Sequence, residues 1–164
     1  MRALGLYPPV SPRGHQTSGI SVLIPPYRRT PQSYSSDVSW IFDGILDDIV
    51  GDFGLSGGGA AGFELDRADI ALGTPLNATI VASSEGHDQS FVLVPEDILT
   101  HHDTWSHEPV KDLIRADIVY FETSNGGGVF SVGSITFCGS LPHNNCDNNI
   151  SKMIDNVIRK FLGN

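Results

Sequence analysis

The residues with the most chemical promise lie in Gly62-Phe63-Glu64-Leu65-Asp66-Arg67-Ala68-Asp69. This segment follows a stretch from Gly51 to Gly62 that holds six glycines. In extended backbone side chains alternate, so Glu64 and Asp66 would share one face. Beside an apolar neighbour such as Phe63, a carboxylate gains proton affinity and becomes suited to general-base work. The competing reading is an ion pair with Arg67 at a strand end, and spacing alone favours it.

Other groupings promise less. Ser83, Glu85 and His87 put a hydroxyl, an acid and an imidazole within five positions, but a triad is assembled across a fold rather than along a loop. Cys138 sits in Thr136-Phe137-Cys138-Gly139-Ser140. A nucleophilic elbow of the Gly-x-Cys-x-Gly kind would need a glycine two residues earlier, and no His-x-Glu pair follows to activate the thiol. Packing is the better account of this cysteine. His101, His102, Asp103 and His107 are zinc-compatible in type, but their spacing lacks the i, i+4 or Cys-x-x-Cys pattern, so they read as a polar loop. The glycine triplets at 57–59 and 126–128 lack the Lys-Ser/Thr of a phosphate loop.

The elements that must position these groups are short. Ala78–Ala82, Phe91–Val94, Asp117–Glu122 and Val129–Gly133 are predicted strands, and the third is rich in β-branched and aromatic residues. Ser124-Asn125-Gly126-Gly127-Gly128 is a turn that could close a hairpin between the last two. Trp40, Ile41, Phe42, Ile45, Leu46 and Ile49 fit a short amphipathic helix or a buried turn. Ile150, Met153, Ile154, Val157, Ile158, Phe161 and Leu162 recur at helical spacing, with Asp147 or Asn148 to cap the start and Gly163 just past the end. Strands plus a covering helix predict an α/β fold, part of a three-layer sheet. Arg-Ala-Asp-Ile occurs at 67–70 and again at 115–118, too short an echo to be a repeat.

The first 36 residues differ in character: they hold no Asp or Glu, but Arg2, Arg13, Arg28, Arg29 and several prolines. Residues 1–36 therefore read as an irregular Pro/Arg-rich segment, and 37–164 as the domain. A formal net charge of −9 argues against nucleic acid, which needs clustered Lys and Arg. No apolar run approaches the ~20 residues of a membrane span, and the start of the chain does not read as a signal peptide. The two cysteines, Cys138 and Cys146, read as free thiols in a reducing, cytoplasmic setting.

Three segments together resemble a known family. Gly54-Leu55-Ser56-Gly57-Gly58-Gly59-Ala60-Ala61-Gly62-Phe63-Glu64-Leu65-Asp66-Arg67-Ala68-Asp69 is similar to the C-terminal domain of the N,N-dimethylformamidase large (beta) subunit family. So are Leu113–Thr123 and the run from Gly127 to Asn144 that leads into the terminal helix. The likeness spans roughly residues 33–162.

The resemblance implies hydrolysis of small N-alkyl formamides to formate and an amine. It implies a small-subunit partner and a fold resembling a class I glutamine amidotransferase without its cysteine nucleophile. It also implies iron held by two tyrosines and a glutamate, upstream of the matched segment, so no metal ligand is expected in this chain. Glu64 matches the family carboxylate that approaches the metal-bound water as a base, and Phe91 is a candidate for the apolar wall of the substrate pocket. On this reading the chain is the C-terminal part of a large subunit, truncated and inactive alone, that needs the remainder of that subunit. The alternatives are a binding or scaffolding module without a catalytic group, and an independent hydrolase built on Ser83, Glu85 and His87.

Overall fold

A computed structural model of the chain describes residues 24–55, 58–87, 91 and 110–163. Its centre is a five-stranded sheet. The strands are β1 (Tyr27–Arg29), β2 (Ile49–Val50), β3 (Thr79–Ser84), β4 (Ala116–Glu122) and β5 (Gly128–Ser131). Their spatial order is β2-β1-β3-β4-β5, and every pairing is antiparallel. The helices are α1 (Val110–Leu113), α2 (Phe137–Ser140) and α3 (Asn149–Leu162), with 3-10 turns at Pro31–Tyr34, Ser39–Phe42, Ile70–Leu72 and His143–Cys146.

The strand-forming residues explain the sheet. β4 is buried without a break from Ala116 to Tyr120. Such a run, rich in β-branched and aromatic side chains, packs well only where both faces are covered. β4 pairs with β3 through Ser83 opposite Asp117, with a register irregularity between Ile80 and Ala82. On its other side it forms the expected hairpin with β5, Tyr120 opposite Phe130. The α/β character expected from the sequence is present. The described strands form no parallel βαβ unit, because all their pairings are antiparallel.

Residues 27–34 do not behave as the irregular segment expected over 1–36. Tyr27 is fully buried, and β1 lies between β2 and β3. The arginines that suggested a solvated linker are partly absorbed into the fold. The Arg29 guanidinium stands 4.2 Å from the Tyr34 ring centre and 4.1 Å from that of Phe42. Arg29 Nε also donates to Ser33 Oγ. A weakly hydrated guanidinium tolerates such stacking, so its charge does not keep the strand at the surface.

Helix α3 follows its sequence signals. Asn148 accepts a hydrogen bond from the Ser151 N–H at 2.9 Å, capping the start. Gly163 ends it in the left-handed conformation at φ +76°. Ile150, Met153 and Val157 are buried, and Asn156 Nδ2 donates to the carbonyls of Ile41 and Asp43, fixing the helix to the turn at 39–42. The apolar stripe runs further than its cover: Ile158, Phe161 and Leu162 are about half exposed or more. The segment 40–49 is a 3-10 turn followed by β2 rather than a regular helix. Of the predicted strand Phe91–Val94, residues 92–94 lie outside the described residues, as does the cluster at His101, His102, Asp103 and His107.

Candidate functional site

The acid-bearing segment 62–69 runs beside the beginning of β4, where β5 has left the sheet. Asp66 N–H donates to Gly133 O at 2.8 Å, and Asp117 N–H donates to Asp66 O at 2.9 Å. Upstream, Gly62 N–H donates to Thr136 Oγ1 at 2.6 Å and Ser134 Oγ donates to Phe63 O at 2.7 Å. Downstream, Ala68 N–H donates to the Asp117 carboxylate at 2.8 Å. Gly133 is essential to this crossing. Its φ is +68°, and a Cβ there would lie 2.6 Å from Asp117 O and 2.8 Å from Asp66 O. Only glycine meets both requirements without strain.

Glu64 is partly buried and is not in a strand. Its φ is +49°, in the left-handed region that costs an L-residue roughly 1 kcal/mol or more. The alternation that would place Glu64 and Asp66 on one face therefore does not apply, because it requires extended backbone. The two carboxyls nevertheless influence one another. Burial raises the Asp66 pKa to about 6, and the Glu64 charge adds to the rise. Among the described residues no donor reaches the Asp66 carboxylate. Tyr27, buried and donating to Val132 O, has its phenol pushed well above the ordinary value by burial and then by the charges of Asp117 and Asp66.

The ion pair expected for Arg67 is made with Asp69 at 3.0 Å, not with Glu64. The structure thus leaves Glu64 and Asp66 out of that pairing. Asp117, which the sequence offered only as part of a strand, is the charged hub. Its side chain is 1% exposed and accepts from Ala68 N–H, Ser83 Oγ at 2.7 Å and Arg115 Nε at 3.1 Å. Three donors, one of them cationic, offset the cost of burying the charge. The two Arg-Ala-Asp-Ile segments meet here, since Arg115 Nη2 also donates to Ala68 O at 3.1 Å.

Asp117 also forms part of the wall of an open cavity of about 460 Å³, with Thr30, Gln32, Ser83, Glu85 and Arg115. Ser83, Glu85 and His87 do not assemble as a triad. Ser83 donates to Asp117, whereas the His87 ring meets the neighbouring Ser84 at 3.0 Å. Adjacent strand residues face opposite ways, so the acid and the imidazole serve different hydroxyls. Ser84 is fully buried and donates to Pro25 O, which closes it to a substrate. Phe91 is buried at 4% exposure, its ring 4.8 Å from that of His87. Cys138 and Cys146 are exposed free thiols. Among the described residues no group of three or more His, Cys, Asp or Glu converges to hold a metal ion.

With this geometry in place, comparison with known proteins decides the family. Residues 7–148 match the model for "N,N-dimethylformamidase beta subunit-like, C-terminal". The chain belongs to that family. It is 47% identical over 133 residues to the N,N-dimethylformamidase beta subunit of Paracoccus aminophilus, and 46% identical over 133 residues to that of an Alcaligenes species. Each match covers 80% of this chain and 17% of the relative, so the chain spans about one sixth of their length. The dimethylformamidase match starts at residue 7 and takes in β1, so most of the Pro/Arg-rich segment lies within the family domain.

Proposed function

We propose that this chain is the C-terminal part of an N,N-dimethylformamidase-type large subunit and supplies acid groups to an active site completed by the rest of that subunit. The observation that carries the reading is 47% identity to a protein of that name across 80% of the chain. The reaction is hydrolysis of a small N-alkyl formamide to formate and an amine. Glu64 is the base: its carboxylate takes a proton from the water that attacks the formyl carbon. The proton then leaves on the amine nitrogen as the C–N bond breaks. The left-handed backbone at Glu64 supports this role, because strain of that kind persists where function requires a side chain in one place. Phe91 contributes apolar lining to the pocket.

Iron belongs to the complete enzyme in this reading. Its two tyrosine and one glutamate ligands are supplied, in this reading, from outside this chain. The partners are the remainder of the large subunit and a small subunit, in a cytoplasmic enzyme. No helix of the described residues is long and apolar enough to cross a membrane. The domain is a diverged relative of the class I glutamine amidotransferase-like fold. An exposed Cys138 that lacks the elbow glycine two residues before it, where Thr136 stands, supports the loss of that fold's nucleophile.

Two assays of formate release from N,N-dimethylformamide test the reading. The isolated chain is expected to be inactive. A chimaera carrying it in place of the matching part of the Paracoccus aminophilus subunit is expected to be active. Turnover by the isolated chain, or a folded and assembled chimaera without turnover, would overturn it. A second reading, a scaffold without a catalytic group, draws on the Asp117 hub, whose charge is spent entirely on internal donors. Unchanged turnover of the chimaera with Glu64→Gln would favour it.

A further inference from the structure

We propose that Asp117 is a positioning residue for the reaction: its buried carboxylate and its own N–H clamp the main chain at Asp66 and Ala68, and so hold the Glu64–Asp66 acid pair in place. The role in the reaction rests on the reading of Glu64 as the base, whereas the clamp itself can be measured without any turnover.

The geometry is specific to a carboxylate at this position. One oxygen, Oδ2, accepts both the Ala68 N–H at 2.8 Å and Arg115 Nε at 3.1 Å. The other, Oδ1, accepts Ser83 Oγ at 2.7 Å. An amide could not accept on both sides, because one of its ends carries only donors. Main-chain and side-chain bonds act together. Asp117 N–H holds Asp66 O, the carboxylate holds Ala68 N–H, and Arg115, oriented by the same carboxylate, holds Ala68 O. These bonds flank the Asp66 side chain and begin two residues after Glu64. Gly133 completes the clamp, since Asp66 N–H donates to its carbonyl and its missing Cβ leaves room for Asp66 O.

A residue with only a stabilising role would lower the melting point and leave the environment of a well-folded acid pair unchanged. A positioning residue changes that environment in the folded state. The charge bearing on Asp66 is that of Glu64, and the Tyr27 phenol beside it feels the charges of both Asp117 and Asp66.

The test is a carboxyl ¹³C titration of Asp66 in the 164-residue chain, in wild type, Asp117→Asn and Ser83→Ala. Wild type is expected to show an inflection at about 6. Ser83→Ala removes one bond on the far side of the carboxylate and should leave that inflection in place. Asp117→Asn releases the clamp, and the inflection should fall towards the ordinary aspartate value of about 3.9. A folded Asp117→Asn chain with an unmoved Asp66 inflection would overturn the proposal. Should that variant fail to fold, amide exchange in wild type decides. The Ala68 N–H is expected to exchange as slowly as that of Asp117, and exchange at the rate of an open loop would overturn the clamp.

In the active chimaera, Asp117→Asn should lower kcat by roughly 100-fold, the scale of a displaced catalytic group, with KM changed less than about twofold. Unchanged kcat beside an inactive Glu64→Gln control would refute the catalytic role of the clamp alone. Full activity of the Glu64→Gln control would instead remove the reading of Glu64, and the titration would still judge the clamp.

Discussion

At the scale of single residues, two carboxyls with different environments divide the candidate site. Asp66 is held protonated to higher pH than usual by burial and by Glu64. Because its folded pKa lies above its unfolded value, the native state favours the protonated form, and the protein loses stability as pH rises from about 4 to about 6. A full shift of that size corresponds to about 3 kcal/mol, and solvent screening at a partly exposed carboxyl reduces it to roughly 1 kcal/mol. Asp66→Asn should therefore gain stability relative to wild type over that window, by roughly 1 kcal/mol at pH 7.5 compared with pH 4. Urea unfolding of both proteins at the two pH values measures this, and a pH-independent difference would refute it. Glu64 offers a separate test through its backbone. Glu64→Gly relieves the left-handed conformation and should stabilise the chain by about 1 kcal/mol, while removing the base. The signal for Glu64 in the sequence was the family resemblance, because spacing alone favoured an ion pair with Arg67. The role of Asp117 was not legible at all. Its partner Ala68 lies 49 residues away, and nothing local marks such a contact.

At the scale of elements, the parts that read clearly were those whose signal is local. β3, β4, β5 and α3 carry runs of β-branched residues, a glycine turn or a helical stripe with caps, and all four formed close to the expected positions. β1 and β2 did not announce themselves. β1 has one apolar residue in three, and β2 is two residues long. Tyr27 is buried because the pairings with β2 and β3 put it there, and no pattern within Tyr27-Arg28-Arg29 encodes that. Two substitutions test the elements. Asn148→Ala removes the helix cap and the bonds from Nδ2 to Leu141 O and His143 O, and should cost about 1–2 kcal/mol. Gly133→Ala places a Cβ against main-chain atoms of Asp117 and Asp66 at a positive φ, and should cost more, about 3 kcal/mol. Thermal or urea denaturation ranks the two, and a neutral Gly133→Ala would contradict the packing at the crossing.

At the scale of the whole molecule, the described surface carries large apolar side chains that no other described residue covers. Leu46, Leu55 and Leu76 are each more than 80% exposed, and Ile70, Ile135 and Leu162 are 60% exposed or more. Surfaces of this kind favour association. The isolated chain is expected to self-associate in size-exclusion chromatography with light scattering, and to do so less in the chimaera. A monomer stable at high concentration would count against dependence on the remainder of the subunit. The chain spans about a sixth of the length of the relatives it matches, and the proposed function makes the acid pair a contributor to chemistry completed elsewhere. The most direct test of that claim is formate release by the chimaera with Glu64 intact and with Glu64→Gln. If Glu64 is the base, kcat falls by about 100-fold or more, with assembly unchanged. Turnover equal to that of the parent chimaera would contradict the account and leave the chain a scaffold.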